Sequence, residues 1–354
     1  MARNRKALNR RDFIKEMTQA TLGGIVLGGQ YSCIDKKNAD EVDQQVRDGQ
    51  LYKKVKKPAR VSLIKGNDRR EIIYQSLKMI ENEVLESLGN KKVLVKPNVV
   101  VTDNPLAATH VDALRAVLDF LAPHYKKQIL IGESSAMKTL EGFKNYGYLA
   151  LEKEYNVKLA DLNQGYSYQY RYVLGKGNRP LPVRIISTFL DPNVYIISVA
   201  RMKTHNKVLV TLSLKNILLG CPLNDYKKND KAMYHTGPPA VDDFCHYNMF
   251  HSAQEVYPDL AVIDGFVGME GKGPAWGTPF DSKVAIASCD ALAADTIATK
   301  VMGFDPKRIL YLSAMTEAGM GQGEIEKINI LGAALDQCLF HFKPHEKMAE
   351  LYKL

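Results

Sequence analysis

The stretch Lys92-Val93-Leu94-Val95-Lys96-Pro97-Asn98 decides the fold class of this chain. Its unbroken apolar centre is typical of a strand that is buried on both faces, and a polar turn follows it directly. On either side the apolar residues take helical spacing, over 72–88 before the strand and over 109–121 after it. The stretch is therefore predicted to be the second strand of a β-α-β unit, which belongs to a parallel sheet.

The same alternation of strands and helices continues in both directions. Asp68 is predicted to cap the helix before this strand, and Thr109 the helix after it. Residues 166–174 alternate tyrosine with polar residues, and a second strand is predicted at 181–186 after the segment 175–182, which together indicate an antiparallel hairpin attached to the main sheet. We therefore expect an α/β fold with a mostly parallel, doubly wound sheet, helices on both faces and an antiparallel hairpin insertion. Further strands are predicted at 61–65, 128–131, 157–162, 194–199, 260–263 and 283–288, and further helices at 140–155, 208–219, 238–257 and from 290 onward.

The first residues of the chain resemble an export signal. The stretch Asn9-Arg10-Arg11-Asp12-Phe13-Ile14-Lys15 has the twin-arginine pattern, and an apolar run with many small residues follows over 17–29. That run is shorter than the roughly 20 residues a membrane-spanning helix needs, so it indicates a signal peptide. We therefore expect export by the twin-arginine translocase and a periplasmic or envelope-associated location.

Cys33 lies just after the apolar run and is a candidate for lipid attachment. Simple cleavage and an uncleaved anchor are the alternatives. The polar residues that follow lack any apolar period and indicate a tether. The predicted organisation is a signal peptide at 1–32, a tether at 33–58 and an α/β domain at 59–354.

Composition excludes several classes of protein. The formal charge of +9 includes a basic leader, and no Lys/Arg-rich run is interleaved with aromatics, so a nucleic-acid partner is not expected. None of the five cysteines is spaced as C-x-x-C, so neither a cysteine zinc site nor an iron–sulfur cluster is encoded. Cys289 and Cys338 lie in apolar segments that suit buried free thiols, and disulfide pairing among the four cysteines after Cys33 is the alternative in an oxidising compartment.

Polar residues gather where the predicted strands end. Lys96 and Asn98 follow one strand, Glu133 another, and Lys203 and His205 a third. Because ligands of open α/β sheets bind beyond the carboxyl ends of the strands, we expect a shared cleft there. Each segment taken alone is equally consistent with an ordinary turn.

Three lysines of this group suggest an anion site. Lys215 lies in an otherwise apolar segment, where a lysine needs a partner or an anion. Together with Lys96 and Lys203 it is predicted to bind a phosphate or carboxylate. The alternative for Lys215 is a snorkelling lysine at a helix end.

The glycine-rich segment 264–274 is the second candidate. Gly271 and Gly273 are predicted to let the backbone approach a ligand. Asp264 and Glu270 offer oxygen donors, which with His205 or His235 could hold a divalent metal. A loop over the sheet edge is the alternative. The segment matches neither G-x-G-x-x-G nor a P-loop, so no nucleotide is inferred.

Three motifs together resemble the DUF362 family. They are VLVKPN at 93–98, KTH at 203–205 with TLSLKN at 211–216, and DG at 264–265 with MEGKGP at 269–274. The resemblance covers about residues 60–330. It implies a domain of unknown function that often accompanies ferredoxin-type iron–sulfur modules and often carries a twin-arginine leader. This chain lacks the cysteine set for a cluster, so a redox role implies a separate electron-transfer protein as partner.

These observations lead to three functional hypotheses. The first is an exported enzyme of unassigned, redox-related reaction on an anionic substrate, with Lys203, His205, Lys215 and His235 as catalytic residues. The second is a non-catalytic binding protein of the envelope that presents the same cleft. The third is an accessory protein that helps to mature an exported metalloenzyme.

Overall fold

One large mixed sheet carries the residues that converge on a single cleft. The computed structural model of the chain describes residues 58–225, 227–235 and 243–353. The predicted signal peptide, Cys33 and the tether up to residue 57 lie outside the described residues. All described residues belong to one compact unit of the chain, residues 54–354. No helix of the described part is long and apolar enough to cross a membrane.

The strands and helices follow the predicted alternation. The strands are β1 Arg60–Lys65, β2 Lys92–Lys96, β3 Ile129–Glu133, β4 Val157–Asp161, β5 Tyr168–Gly175, β6 Arg179–Ile186, β7 Val194–His205, β8 Leu209–Thr211, β9 Leu260–Glu270, β10 Thr278–Phe280, β11 Val284–Ser288 and β12 Asn329–Gly332. The α-helices are α1 Arg69–Lys78, α2 Glu81–Leu88, α3 Val111–Leu121, α4 Thr139–Asn145, α5 Leu151–Glu154, α6 Ser213–Leu218, α7 Asp243–Ser252, α8 Ala291–Val301, α9 Leu310–Glu317 and α10 Glu346–Tyr352. Short 3-10 helices cover Pro105–Ala107, Tyr148–Ala150, Ser187–Phe189, Asp230–His235, Pro306–Arg308, Ile325–Lys327 and Leu335–Cys338.

The main sheet is parallel in one half and mixed in the other. Its strand order is β12-β1-β11-β9-β7-β2-β3-β4, with β10 and β8 folded back on β9 and β7. The five strands from β9 to β4 are mutually parallel, whereas β11 runs against both of its neighbours. The predicted parallel sheet is confirmed for this half of the molecule. The predicted strand at 283–288 is β11. It runs antiparallel to β9, so the parallel half of the sheet ends at β9.

Alternate residues of the strands pack into two core layers. Val93 and Val95 of β2 face the layer that holds α1, α2 and α3, whereas Leu94 faces the layer that includes Ile217 of α6. Every residue of β7 is buried, because it lies between β2 and β9 with both faces covered. This double coverage explains the near-continuous apolar sequence of the central strands.

Two predicted helix starts have different outcomes. The Asp68 side chain accepts a hydrogen bond from the amide of Glu71 at 2.8 Å, as an N-cap does. Thr109 is not the cap of α3, because His110 takes that position. The Thr109 hydroxyl instead donates to the carbonyl of Val199 at 2.6 Å and ties the turn to β7.

Several predicted elements are shorter or differently formed. Residues 208–219 are not one helix: they form β8 and then the short α6, and Leu209 has a φ of 68° that no helix allows. The helical stretch 140–155 is broken at Gly147, with a φ of 78°. The segment from Gly265 onward is not a loop at first, because β9 continues to Glu270 and pairs with β10. The hairpin of β5 and β6 forms a separate two-stranded sheet.

Candidate functional site

A cleft of about 280 Å³ opens at the carboxyl ends of β2, β3 and β7. This is the edge at which open α/β sheets bind their ligands. The described residues that line it are Lys96, Asn98, Val99, Val100, Glu133, Ser134, Ser135, Ala136, His205, Thr211, Lys215, Asn216, Leu219, Gly220, Asn229, Lys231, Ala232, His235 and Pro274. Six of the residues that the sequence analysis singled out meet here: Lys96, Asn98, Glu133, His205, Lys215 and His235.

A buried ion pair forms part of the cleft wall. Lys96 Nζ lies 2.7 Å from Glu133 Oε1, and both side chains are almost fully buried. Glu133 also accepts hydrogen bonds from the backbone amides of Val99 and Ser134, each at 2.8 Å. Burial lowers the pKa of Lys96, and the charge of Glu133 opposes that shift. Glu133 is the one carboxylate among the described lining residues, and Lys96 neutralises it.

Two asparagines connect the lysines behind this wall. Asn216 Oδ1 accepts hydrogen bonds from Lys96 Nζ and from Asn98 Nδ2, both at 3.0 Å. Asn98 Oδ1 in turn accepts a bond from Lys203 Nζ at 2.6 Å. The network fixes the amide orientation of both asparagines, since each oxygen receives a lysine proton.

Lys203 lies behind the cleft and does not line it. Its side chain is completely buried, and Nζ donates to Asn98 and to the carbonyl of Ala107, both at 2.6 Å. Burial lowers the pKa of Lys203 well below its ordinary value, and the charges of Arg201 and Lys215 lower it further. Lys203 therefore reaches the cleft only through Asn98. It is a positioning residue in this arrangement and not one of the groups that line the cleft, although its sequence position predicts a catalytic role.

His205 ends β7 and presents one ring nitrogen to the cleft. Its Nδ1 accepts hydrogen bonds from the amides of Lys207 at 3.0 Å and Val208 at 3.4 Å. Burial, followed by the charge of Lys215, lowers the pKa of His205 well below its ordinary value, so the ring is neutral. A neutral ring that accepts at Nδ1 carries its proton on Nε2. His205 is therefore a hydrogen-bond donor toward the cleft, and the ring of His235 stacks on it at a centroid distance of 6.4 Å.

The turn from β8 into α6 brings two more groups into the cleft. The hydroxyl of Thr211 is buried and has no hydrogen-bond partner among the described residues. Thr211 lines the cleft, but its hydroxyl oxygen itself is buried. Lys215 follows on α6, and its side chain is mostly buried.

Asp295 holds the first turn of α6 in place. Its carboxylate accepts hydrogen bonds from the amides of Ser213 at 2.9 Å and Leu214 at 3.0 Å. Burial raises the pKa of Asp295 to about 8. This carboxylate, which belongs to α8, thus sets the orientation in which α6 presents Lys215.

Lys231 is the residue of the cleft that the sequence analysis missed. Its Nζ donates to Ser134 Oγ and the Pro222 carbonyl at 2.8 Å, and to the carbonyls of Leu219 and Gly220 at 3.1 Å. Burial lowers its pKa to about 7. Lys231 lies in a lysine-rich segment without periodicity, so nothing in the sequence distinguishes it from its exposed neighbours.

The glycines of the second candidate segment serve packing. A Cβ atom on Gly273 would lie 2.0 Å from the carbonyl oxygen of Thr204, so only glycine lets the chain pass so close to β7. This passage places Pro274 at the cleft. The amide of Gly271 donates to the carbonyl of Lys343 at 2.7 Å, and that of Gly273 to Gly271 at 2.8 Å. Neither amide is thus open to a ligand.

The structure does not bring the expected metal ligands together. Asp264 is buried and accepts from Arg69 Nε at 3.2 Å, and Glu270 accepts from the amide of Lys343 at 2.8 Å. The two carboxylates lie six residues apart on β9 and have different partners. Neither lines the cleft that holds His205. Across the described residues no three His, Cys, Asp or Glu side chains are arranged to hold a metal ion.

Comparison with known proteins identifies the class to which this α/β protein and its lysine-rich cleft belong. Residues 93–300 match the model of a family described as domain of unknown function DUF362, and the chain belongs to that family. The thylakoid-associated protein sll1697 of Synechocystis sp. is 26% identical over 280 residues, which cover 77% of this chain and 80% of that protein. A solved structure of a Thermotoga maritima protein matches with a TM-score of 0.35 at 12% identity, covering 72% of this chain and 59% of that one.

Proposed function

We propose that the chain is an exported enzyme that binds a small anionic organic substrate in the cleft and transfers a proton to or from it. The observation that carries this proposal is the composition of the cleft wall. Lys215, Lys231 and the Nε2–H of His205 face a space whose one described carboxylate, that of Glu133, is already neutralised by Lys96. A phosphate or carboxylate group that enters this space would meet a wall of positive charge with no opposing free carboxylate among the described lining residues.

The His205 and Thr211 side chains define where the anionic group would lie. His205 is the last residue of β7 and Thr211 the last residue of the paired strand β8, and the Thr211 hydroxyl has no partner among the described residues. An oxyanion in front of His205 would accept from Nε2–H, while Lys215 contributes charge. The roughly 280 Å³ of the cleft suits a small metabolite, since drug-sized ligands occupy about 300–1,000 Å³.

Lys231 is the proposed proton-transfer group. A lysine whose pKa is about 7 exchanges its proton readily at neutral pH, which general acid–base catalysis requires. A redox reaction would need a separate electron-transfer protein as partner, and the cleft residues support proton transfer more directly. No step is assigned to a metal, because His205, Asp264 and Glu270 do not converge.

Export completes the proposal. The twin-arginine pattern at 9–15 and the apolar run at 17–29 support passage through the twin-arginine translocase to the envelope. The relative from Synechocystis carries a name that associates it with a membrane, the thylakoid, which agrees with an envelope location.

A non-catalytic binding protein is the second candidate. Four oxygen atoms surround Lys231 Nζ within 3.1 Å, and such a cage favours a fixed ammonium group. A fixed cation suits retention of an anion more than proton exchange. The two candidates share the site and differ in turnover.

The test combines binding with turnover on the full chain. Thermal unfolding and calorimetry with inorganic phosphate and with oxalate should reveal stabilisation, about 2.7 kcal/mol when the anion is at a hundred times its Kd. Lys215→Met should lose this effect, whereas Lys307→Met, at an exposed lysine outside the cleft, should keep it. Incubation with small phosphorylated and carboxylated metabolites, followed by mass spectrometry, then separates an enzyme from a binding protein. The anion site is refuted if neither anion stabilises the protein.

A further inference from the structure

The separate hairpin of β5 and β6 carries an exposed aromatic surface away from the cleft. Tyr168, Tyr170 and Tyr172 alternate along β5 and so share one face, with exposed fractions of 43%, 56% and 59%. We call these three residues the tyrosine face. Soluble proteins rarely expose large aromatic side chains in a contiguous group unless the surface binds something.

The other face of the hairpin accounts for its attachment to the body. Val173, Val183 and Ile185 are buried and pack into the same core layer as Leu94 of β2. The cross-strand register pairs Tyr172 with the exposed Pro182, whereas Arg184, which pairs with Tyr170, is buried against the body. The body therefore fixes the hairpin with its tyrosine face outward.

All the charged side chains of the hairpin itself are positive. Residues 168–186 contain four Lys or Arg side chains and no Asp or Glu. Two of the cations have partners in the body: Arg171 pairs with Glu255, and Arg184 pairs with Asp225 and Asp230. Lys176 and Arg179 at the hairpin turn are exposed, and no ion pair with another described residue forms there.

We propose that the tyrosine face and the turn with Lys176 and Arg179 form a contact surface for an anionic lipid bilayer. Tyrosine places an apolar ring and a polar hydroxyl at the boundary of headgroups and acyl chains. Lysine and arginine beside it are attracted by anionic headgroups. Residues 168–186 contain no Asp or Glu, so the hairpin has no carboxylate of its own that an anionic lipid would repel.

A glycan is the other partner that a row of tyrosines could bind. Neutral sugars are recognised by hydrogen bonds from polar groups placed beside the stacking ring. Of the β6 positions on this side, Pro180 and Pro182 are exposed and Arg184 and Ile186 are buried, and none of them has a carboxylate or amide side chain. The chemistry of the face therefore favours lipid.

The test uses the chain's one tryptophan, Trp276, as a built-in control. It is 61% exposed and lies outside the hairpin. In a second full-length protein, Trp276→Phe is combined with Tyr170→Trp, which moves the reporter to the tyrosine face. Vesicles with an equimolar mixture of phosphatidylcholine and brominated phosphatidylglycerol should quench the fluorescence of the second protein and leave that of the first unchanged.

The charge requirement is tested in the same reporter. Lys176→Gln with Arg179→Gln should raise the lipid concentration for half-maximal quenching by about 30-fold, given roughly 1 kcal/mol for each cation near an anionic surface. Lys158→Gln with Lys307→Gln, which removes two exposed cations elsewhere, should leave it unchanged.

The apolar run at 17–29 could attach the whole chain to a vesicle without bringing position 170 to the lipid. Comparing the quenching of tryptophan at position 170 with that at position 276 distinguishes this attachment from contact through the tyrosine face. Equal quenching of both reporters, or none at position 170, would overturn the proposal. A response of the position-170 reporter to a soluble chitin oligosaccharide without quenching by vesicles would assign the face to a glycan, and would also overturn it.

Discussion

Lys203 Nζ donates to Asn98 Oδ1 across 2.6 Å and so joins the centre of the sheet to the end of β2. The lysine is completely buried, and its second acceptor is the carbonyl of Ala107. The residue that the sequence most strongly suggests as a catalytic lysine therefore acts through an asparagine. Its removal affects stability as well as the cleft.

Lys203→Met should destabilise the protein. Two buried oxygen acceptors, on Asn98 and Ala107, lose their donor, at a cost of about 1–3 kcal/mol each. Relief of the buried charge offsets part of this cost, so we expect a net loss of about 2–4 kcal/mol in urea unfolding. Lys307→Met, at an exposed site, serves as the control. An unchanged unfolding midpoint for Lys203→Met would contradict this structural role. Lys203 would then contribute to the function of the cleft alone.

The Lys96–Glu133 pair should behave as one unit. Lys96→Met or Glu133→Gln alone leaves an unpaired group in a buried site, and we expect about 3–5 kcal/mol of destabilisation for each. The double variant should cost clearly less than the sum of the two single variants, because neither charge remains. Urea unfolding of all four proteins in this cycle measures the coupling. Additive losses would mean that the 2.7 Å contact does not contribute.

Titration of Lys231 should appear in the pH dependence of stability. Its pKa falls from 10.5 to about 7 on burial, so between these values the unfolded chain binds the proton that the folded chain has released. The free energy of unfolding should therefore rise with pH from about 7 to about 10, relative to Lys231→Met. Over the same rise the affinity for inorganic phosphate should fall, because the cleft loses a charge. A constant difference between the two proteins across this range would show that the oxygen cage keeps the ammonium charged.

His205 should contribute a donor that does not titrate near neutral pH. Burial keeps its pKa well below the ordinary value, so phosphate affinity should show no step from this residue between pH 6 and 8. His205→Gln keeps a donor near the place of Nε2, whereas His205→Asn keeps only an acceptor near Nδ1. The Asn variant should lose about tenfold or more in affinity, and the Gln variant less, since a hydrogen bond to a charged group contributes about 1.5–3 kcal/mol. Calorimetry distinguishes the two, and the reverse order would place the proton on Nδ1.

Gly273→Ala should displace the segment that carries Pro274. The new Cβ would lie 2.0 Å from the Thr204 carbonyl, a distance that only a backbone shift relieves. Gly165→Ala provides the control, because its Cβ meets nothing within 4 Å and only the φ of 74° is strained, at about 1–2 kcal/mol. We expect a clearly lower melting temperature and weaker phosphate binding for Gly273→Ala than for the control. Equal effects would show that the close approach is not needed.

The sequence predicts the cleft well where the pattern is local. Lys96, Glu133 and His205 each end a strand, and parallel strands bring their carboxyl ends to one edge of the sheet. The apolar runs identify those strands because they are buried on both faces. The place of these side chains in the fold can therefore be predicted from strand position alone, without knowledge of their tertiary contacts.

Other parts depend on contacts that the sequence does not record. Lys231 enters the cleft through carbonyls 9 to 12 residues before it and through Ser134, which no periodicity predicts. The apolar residues of 208–219 are typical of a buried helix. The positive φ of Leu209 excludes a helix there, however, and Leu209–Thr211 form the strand β8. Asp264 and Glu270 belong to one long strand, so their proximity in sequence does not bring them together in space.

The cleft depends on Asp295, which lies far along the chain from the residues that line it. The last lining residue is Pro274, yet the helix that presents Lys215 begins at two amides held by Asp295. A fragment that ends after β10 would contain every side chain of the cleft and still lack the anchor of α6. Domain boundaries drawn from the lining residues alone would therefore leave α6 without the carboxylate that holds its first turn.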